Sequence, residues 1–190
     1  MVVIERCQLR LVEALDDRED GRIDEVESNY PAKVIRLEPM DDSTYAAWHV
    51  ASVRDYAQEK VESGNWLAGD AMERSERAFA ELLPDGRETP GHEIRSMVND
   101  VGERVGYAWF VPEDRPFGRV VFLYDIAVDP THRRKGYAHA ALGEIEAYAR
   151  EHGYVGVQLH VFGGNTGARE LYRRAGFVET DVTMIKRVNG

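Results

Sequence analysis

Apolar and polar positions in the first third of the chain follow the periods of one short strand and two helices. Residues 34–40 (VIRLEPM) predict a strand that Pro39 closes, and the helix-capping residues of DDST follow it. Apolar residues then recur every three or four positions and predict a helix that Gly64 ends; its apolar face consists of Ala46, Val50, Val53, Ala57 and Val61. A second helix is predicted over 70–83, with Met72, Phe79, Leu82 and Leu83 on one side.

The middle of the chain has the pattern of β-strands. PDGRETPGH (84–92) is a loop because of its prolines and glycines. HEIRSMVN (92–99) alternates apolar and polar residues and RVGYAWFV (104–111) is aromatic and β-branched, so the two predict an antiparallel hairpin. PEDRPFG (112–118) predicts the next turn. RVVFLYDIAV (119–128) is apolar at nearly every position, which is typical of a central strand covered on both faces.

Helices and strands alternate in the last third. A helix is predicted over 131–152, a strand over 155–162, a loop and short helix over 163–177, and a final alternating strand over 177–188. The apolar face of the first of these helices consists of Ala138, Ala141, Leu142, Ile145 and Ala149. The whole order predicts an α/β fold with a mixed sheet.

Composition narrows the class of protein. The 190 residues carry a formal net charge of -10, which argues against nonspecific nucleic-acid binding and suits an enzyme or a binder of basic molecules such as amines. Residues 1–31 hold nine acids and four bases, about half of that charge, and are expected to be a loosely ordered extension of a domain over 32–190. A lone cysteine, no unbroken apolar h-region and no apolar run longer than VVFLY (120–124) predict a soluble cytoplasmic protein.

The stretch HRRKGYA (132–138) concentrates positive charge directly after the apolar strand 119–128. The first turn of a helix presents backbone N–H groups without helical partners and partial positive charge, so anions bind there. Gly136 and Ala138 allow a ligand to approach the backbone closely. The alternative is an exposed basic helix start. The spacing matches neither a Walker phosphate loop nor a dinucleotide fingerprint, so a nucleotide triphosphatase or a dehydrogenase is disfavoured.

Two motifs here resemble those of the GCN5-related N-acetyltransferases, the GNAT superfamily. DIAVDPTHRRKGYAHAAL is similar to the family's motif A, [QR]-x-x-G-x-[GA], through Arg133, Gly136 and Ala138. LHVFGGNTGARELYRRAGFVET is similar to motif B, N-x-x-A-x-x-L-Y-x-x-x-G-F; the matching residues are Asn165, Ala168, Leu171, Tyr172, Gly176 and Phe177. Each motif alone is moderately specific, but both occur in order with a helix and a strand between them.

The resemblance implies a central mixed sheet with two splayed parallel strands, 119–128 and 155–162, flanked by about four helices. Acetyl-CoA would bind between the splayed strands, with its pantetheine arm along the backbone of Ile126, Ala127 and Val128. Its pyrophosphate would rest on the residues of the strand-to-helix turn, Arg133, Arg134, Lys135, Gly136, Tyr137 and Ala138. Asn165 and Ala168 would hold the pantetheine, while Arg169 or Arg173 would either grip the adenosine end or be solvated helix charges.

The resemblance also implies roles in acetyl transfer. Tyr172 would protonate the leaving thiolate, or would be a core tyrosine beside Leu171. His160, on the second splayed strand, would accept the amine proton, or would lie on the sheet surface. Asp125, an acid inside an apolar strand, is the other candidate base, with a buried structural carboxylate as its alternative. The Val128 N–H would stabilise the oxyanion. The histidine spacing predicts no metal site.

The acceptor is the least defined partner. The family implies that the acceptor is a primary amine on a small molecule, peptide or protein, which attacks acetyl-CoA in a ternary complex. No membrane or nucleic-acid partner is expected, and members of the family often form homodimers. The negative net charge of the protein adds a weak preference for cationic acceptors. Five residues either line the acceptor pocket or pack in the protein interior: Tyr45, Trp48, Trp66, Arg115 and Phe117. Packing is favoured for Trp48. The competing hypothesis is an acyl-CoA-binding or regulatory module of the same fold without turnover, and nucleic-acid binding through HRRK is a minor one.

Overall fold

The computed structural model describes residues 33–186 and 188. The acidic extension predicted over 1–31 lies outside the described residues. Within the described residues, the regular elements are five strands and four α-helices, together with short 3₁₀ helices at Gly86–Glu88 and Pro130–His132. They are β1 (Ile35–Pro39), α1 (Asp42–Glu62), α2 (Ala71–Leu82), β2 (Glu93–Asn99), β3 (Arg104–Arg115), β4 (Gly118–Val128), α3 (Tyr137–Glu151), β5 (Gly156–Leu159) and α4 (Thr166–Arg174).

The strands form one mixed sheet in the order β1-β2-β3-β4-β5. Neighbours are antiparallel from β1 to β4, and β5 runs parallel to β4. The predicted hairpin of β2 and β3 is confirmed by its register, in which Glu93 lies opposite Phe110. The α/β class and the mixed sheet are therefore confirmed.

Two apolar clusters pack against the sheet. The larger joins α3 and α4 to residues of β2, β3 and β4 such as Phe110, Leu123 and Ile126. The other joins α1 and α2 to residues such as Ile94 and Trp109. Buried residues of β4 belong to the first cluster, while Trp109, opposite β4, belongs to the second, so helices cover this part of the sheet from both sides.

The buried face of α1 differs from the predicted one. Asp41 caps the helix as expected, since its side chain accepts the Thr44 N–H at 2.7 Å. Val53 and Ala57 of the predicted face are buried. Val50, however, is 70% exposed and Ala46 is exposed, whereas Trp48 and Tyr56 are buried. The helix turns its aromatic side chains inward because these remove more apolar area from water than alanine or valine. For the same reason α2 buries Phe79 and leaves Met72 44% exposed.

The turn predicted over 112–118 is shorter than expected. β3 continues to Arg115 and β4 begins at Gly118, so only Pro116 and Phe117 connect them. Pro112 fits within β3 because the pairing with β2 ends at Phe110, and β3 then has β4 alone as a neighbour. A proline without an N–H is tolerated on a strand edge that has no partner.

The final strand predicted over 177–188 is wrong for the described residues. Residues 177–186 and 188 have no regular secondary structure, although their polarity alternates. No other strand of the described chain lies beside them, and a strand without a hydrogen-bonded neighbour does not form. The strand predicted over 155–162 is also shorter, since β5 ends at Leu159.

No helix within the described ranges is long and apolar enough to cross a membrane.

Gly106 allows β3 and β4 to approach each other closely. A Cβ atom at this position would lie 2.2 Å from the Ala127 carbonyl oxygen, a backbone atom that moves only with the strand. We expect Gly106→Ala to lower the free energy of unfolding by about 2 kcal/mol, because overpacking a buried site costs that much. Urea denaturation followed by circular dichroism measures the change.

Gly143→Ala is the matched control for this substitution. Gly143 lies inside α3, and a Cβ atom there would meet nothing within 4 Å. Alanine should raise stability by about 0.5–1 kcal/mol, since glycine is a poor helix former. Equal urea-denaturation midpoints for the two variants would show that the close approach of the strands at Gly106 is not a constraint on the fold.

Candidate active site

β4 contains a bulge at the point where it separates from β5. Trp109 lies opposite Asp125 and Phe110 lies opposite Leu123, so Tyr124 has no opposite residue on β3. The parallel pairing with β5 ends at Leu123 and Leu159, although β4 continues for five more residues to Val128. A bulge bends and twists its strand, which accounts for the separation beginning here. The two strands therefore enclose a gap between residues 124–128 and the segment 160–162.

The backbone of β4 faces this gap with hydrogen-bonding groups. The Asp129 N–H donates to the Val105 carbonyl at 2.8 Å, so the residues paired with β3 at this end are Asp129 and, by alternation, Ala127. The N–H and C=O groups of Ile126 and Val128 then point away from β3, toward the side where β5 has turned away. An extended ligand in the gap would meet them as it would meet the edge of a sheet.

The loop after β4 is not part of the helix that was predicted to begin at 131. Arg134 has φ 58° and Gly136 has φ 85°, both in the left-handed region that an α-helix excludes. Residues 133–136 are therefore a loop, and α3 begins at Tyr137 with Gly136 as its N-cap. Glycine is suited to the cap because the left-handed conformation costs it nothing.

The first turn of α3 offers a set of backbone donors. The first bond along the helix is from the Ala140 N–H to the Gly136 carbonyl, at 3.0 Å. The N–H groups of Tyr137, Ala138 and His139 consequently have no acceptor within the helix. They lie at the carboxyl end of β4, beyond the open end of the gap, where the helix dipole also favours an anion.

Two cations of this loop are bound to backbone carbonyls nearby. The Arg133 Nε donates to the Val128 carbonyl at 3.1 Å, and the Lys135 Nζ donates to the Thr131 carbonyl at 2.9 Å. Arg133 thereby connects the loop to the last residue of β4. These cations hold the shape of the loop as well as adding positive charge beside the α3 N-terminus.

Asp125 lies on the side of the sheet that α1 covers. It is 8% exposed, and one of its carboxylate oxygens accepts the Tyr107 hydroxyl at 2.9 Å. The Tyr107 ring contacts Trp48 of α1 edge-on, with centroids 6.1 Å apart. A carboxylate beside the bulge is thus held by a phenol from the neighbouring strand.

Tyr172 lies on the opposite side of the sheet. It is 3% exposed and belongs to the cluster of α3 and α4 that also contains Ile126 and Val128. Its ring meets Phe177 with centroids 5.6 Å apart, and its carbonyl accepts the Phe177 N–H at 2.9 Å. Asp125 and Tyr172 therefore lie on opposite faces of the sheet.

His160 and Asn165 border the gap on the β5 side. His160 directly follows the last paired residue of β5, is half-buried, and meets Phe162 edge-on with centroids 5.5 Å apart. Asn165 is the N-cap of α4 and accepts the Ala168 N–H at 3.1 Å. Asn165 and Ala168 are therefore fixed where α4 begins, close in sequence to the end of β5.

A lysine from α1 reaches the same region. Lys60 is 7% exposed, and its ammonium lies 5.5 Å from the centroid of the Phe162 ring and 5.4 Å from that of Tyr56. Trp66, in the α1–α2 connection, completes the aromatic surroundings at 6.0 Å. These cation–π contacts join the helices on one side to the segment after β5 on the other.

The unmatched bulge residue takes part in a network of polar groups. The Tyr124 hydroxyl donates to Glu113 at 3.2 Å, and its ring stacks on Trp109 with centroids 4.8 Å apart. Burial and the Glu113 carboxylate raise the pKa of Tyr124, so the phenol stays protonated. Arg115 pairs with the same carboxylate at 2.6 Å and donates to Gln158 of β5 at 2.8 Å.

A buried histidine adjoins this network. The Trp109 Nε1–H donates to the His92 Nδ1 at 3.0 Å, which requires that nitrogen to be unprotonated. Burial lowers the pKa of His92 in agreement with a neutral ring.

The residues considered for the acceptor pocket fall into different groups. Trp48 is part of the α1–α2 core, which confirms packing, and Tyr45 and Trp66 pack against the same cluster. Burial raises the pKa of Tyr45. Phe117 is 68% exposed at the tip of the β3–β4 hairpin, and Arg115 belongs to the network of Tyr124.

Sequence reasoning missed Tyr107, Glu113 and Tyr124. Each acts through a residue on another strand, so finding them requires the register of the sheet. The alternating pattern gives the strands but not the bulge that sets this register.

Within residues 33–186 and 188, no group of three or more His, Cys, Asp and Glu side chains is placed to hold a metal ion.

Comparison with known proteins shows close relatives. The chain is 38% identical over 154 residues to a protein of Bacillus subtilis strain 168 named uncharacterized N-acetyltransferase YycN, covering 81% of this chain and 99% of that protein. Another B. subtilis protein, uncharacterized N-acetyltransferase YdgE, is 33% identical over 152 residues, covering 80% and 97%. The crystal structure of YycN matches with a TM-score of 0.77, covering 83% of this chain and 100% of that chain.

A more distant solved structure shares the fold alone. The aminoglycoside N-acetyltransferase AAC(6')-Iy in complex with CoA matches with a TM-score of 0.51 at 17% identity, covering 83% of this chain and 97% of that chain.

The family model described as the acetyltransferase (GNAT) family matches residues 45–177, which include β2 to β5, the loop before α3 and the whole of α4. This match agrees with the separated parallel strands and with both sequence motifs. The chain therefore belongs to the GNAT family and is an N-acetyltransferase.

Proposed function

We propose that the protein transfers the acetyl group of acetyl-CoA to a primary amine of a small molecule, peptide or protein, by direct attack in a ternary complex. The observation that carries the proposal is the gap that opens beside the Tyr124 bulge, with backbone groups of β4 on one wall and the α3 N-terminus at its end. The family supplies the cosubstrate, and AAC(6')-Iy is a protein of this fold solved with CoA.

Acetyl-CoA binding would use the backbone more than side chains. The pantetheine arm would run along the backbone of Ile126, Ala127 and Val128, and its amides would pair with the groups of Ile126 that face away from β3, because the Val128 carbonyl already accepts Arg133. The pyrophosphate would accept hydrogen bonds from the N–H groups that begin α3, at Tyr137 and Ala138. A diphosphate suits this position because it is anionic and the loop is basic. Arg133, Arg134, Lys135 and Gly136 form that loop, and Asn165 and Ala168 close the gap at α4.

The reaction needs three functions around the thioester. The neutral amine attacks the carbonyl carbon and forms the C–N bond, while the Val128 N–H stabilises the oxyanion. The C–S bond then breaks, and Tyr172 protonates the thiolate from the α4 side. The amine proton passes to a base on the other face, directly or through water. Asp125 is the base we favour, because it lies beside the bulge on the side of α1, and His160 is the alternative.

The acceptor is proposed to enter from the α1–α2 side of the sheet. The carboxylates of Asp125 and Glu113 lie on this side, and the net charge of -10 attracts cations over the whole surface. Amines with a further positive charge are accordingly the preferred class. The cytoplasmic location inferred from the sequence stays a prediction.

Removal of the Tyr172 hydroxyl tests the proposed role of Tyr172 as the general acid. We expect Tyr172→Phe to lower kcat by roughly 100-fold, since a positioned general acid contributes about that much, and to leave the Kd of acetyl-CoA nearly unchanged. Steady-state kinetics and isothermal titration calorimetry measure the two quantities. Tyr154→Phe is the control, since Tyr154 stacks with Arg119 near the start of β5, away from the gap. Full activity of Tyr172→Phe would assign the residue to the core.

Substitution of the two candidate bases distinguishes them. Asp125→Asn should lower kcat/KM by roughly 100-fold at neutral pH, because the amide keeps the Tyr107 hydrogen bond but accepts no proton. His160→Gln should remain within a few-fold of the wild type. The opposite ranking would transfer the role to His160. Thermal unfolding of both variants separates a loss of chemistry from a loss of fold.

An assay with a panel of amines tests the reaction itself. CoA release is followed with diamines, amino acids, peptides and aminoglycosides, and the acetylated product is identified by mass spectrometry. Direct attack predicts intersecting initial-velocity lines and no acetylated enzyme intermediate. Parallel lines with a trapped acetyl-enzyme would contradict the ternary complex, and tight acetyl-CoA binding without turnover on any amine would contradict the proposed acceptor class.

A further inference from the structure

A lysine from the segment before β1 lies beside the loop that leads into α3. The Lys33 Cγ atom is 3.7 Å from the position that a Cβ atom on Gly136 would take, and the Lys33 ammonium lies 5.7 Å from the centroid of the Tyr137 ring. Gly136 is the N-cap of α3, and Tyr137 is the first residue of this helix. Lys33 therefore contacts the N-terminus of α3, although it precedes both sequence motifs and the residues 45–177 that match the family model.

The topology of the sheet brings Lys33 to this place. Neighbouring strands are antiparallel from β1 to β4, so β1 begins at the end of the sheet where β4 finishes. Ile35, the first residue of β1, is buried in the same apolar cluster as Tyr137. This packing fixes the start of β1 against the start of α3. Lys33 lies two residues before Ile35 and is turned toward the same helix, as its contact with the Tyr137 ring shows.

The Lys33 ammonium is held less firmly than two cations of the neighbouring loop. Arg133 and Lys135 donate to backbone carbonyls at 3.1 and 2.9 Å, and these bonds fix the shape of the loop. Lys33 is exposed, and its ammonium contacts the face of an aromatic ring. A cation–π contact at an exposed site is weaker than a charge-assisted hydrogen bond to a phosphate oxygen. The ammonium can therefore leave the ring when an anion binds beside it.

We propose that Lys33 is a cosubstrate-binding residue whose ammonium pairs with the diphosphate of acetyl-CoA at the N-terminus of α3. The inference rests on the proposed function, because that function places the diphosphate at this helix end. A cation beside a helix N-terminus is unfavourable by itself, since the helix dipole puts partial positive charge there. A bound diphosphate turns this repulsion into attraction, because both the lysine and the helix end then face an anion.

The lysine and the backbone contribute differently to this binding. The N–H groups of Tyr137 and Ala138 are neutral donors, so they orient a phosphate but do not cancel its charge. Lys33 supplies a compact positive charge on a flexible stem, which suits an anion that arrives and leaves in each catalytic cycle. In this arrangement Arg133 holds the loop to the Val128 carbonyl, and Lys33 supplies a charge that moves to the ligand.

Lys33→Met tests the proposal, because methionine keeps an unbranched stem over Gly136 and removes the charge. Isothermal titration calorimetry should show the Kd of acetyl-CoA raised about tenfold, the expected loss for one hydrogen bond between charged groups. Lys33→Arg keeps the charge and should stay within about threefold of the wild type. Arg150→Met is the matched control, since it removes an exposed cation from the other end of α3, about 20 Å along the helix from Tyr137, and should leave the Kd unchanged.

Shortened ligands identify the group that Lys33 contacts. Acetyl-dephospho-CoA keeps the diphosphate and lacks the 3′-phosphate, so Lys33→Met should weaken its binding about tenfold as well. Acetyl-pantetheine lacks every phosphate, so it should bind the wild type and Lys33→Met equally when its affinity is measured by displacement of acetyl-CoA. An equal loss for all three ligands would assign Lys33 to the packing of β1 on α3 and overturn the proposal. A loss confined to acetyl-CoA would assign the lysine to the 3′-phosphate and would also overturn it.

The same titrations separate this inference from the proposed function. If the wild-type protein does not bind acetyl-CoA, the proposed function fails and the role of Lys33 fails with it. If the wild type binds and Lys33→Met has the same Kd, the assignment of Lys33 alone is overturned. Thermal unfolding of Lys33→Met should match that of the wild type, because the side chain is exposed.

Discussion

The separation of β4 from β5 is the constraint on which the rest of the site depends. Two parallel strands normally satisfy each other's backbone along their whole length, and here they do so only as far as Leu123 and Leu159. The extra residue at Tyr124 adds twist at that point. Beyond it, the outward backbone groups of Ile126 and the Val128 N–H face the gap instead of a neighbouring strand. Backbone groups without a neighbouring strand carry a local cost in stability, and in the reaction we propose they would contact the cosubstrate.

The neighbouring elements fix the position of β4 and of the loops beside this gap. Gly106 lets β3 approach β4 closely on the other side, so the bulged strand is held firmly where its free side is open. Arg133 bonds the last carbonyl of β4 and fixes the loop that leads into α3. α4 brings Tyr172 to one face, while the α1 side holds Asp125 through Tyr107. These polar groups therefore lie on both faces of the sheet and at the end of β4, although they come from separate parts of the sequence.

The sequence predicts most of the fold because local patterns determine it. Alternation and apolar runs give the strands of the described sheet, and the motifs around Gly136 and Asn165 identify the two loops that border the gap. The features that the sequence does not predict depend on contacts between residues that are far apart in the chain. α1 buries Trp48 and Tyr56 together with Val53 and Ala57, at the expense of Ala46 and Val50. The partners Tyr107 and Glu113 follow from the register. The predicted start of α3 is wrong because the left-handed conformation of Arg134 has no signal in its side chain.

The wrong prediction over 177–188 is informative in a different way. A polarity pattern reports which face of a segment is suited to burial, but it does not state where the covering surface is. Val178, Val182 and Met184 are exposed, and no strand of the described sheet lies beside the segment that contains them. The alternation therefore indicates a face suited to burial without indicating a neighbouring strand, and a strand requires both. The error in α1 has a different cause, because there the larger apolar surfaces of Trp48 and Tyr56 are buried in place of Ala46 and Val50.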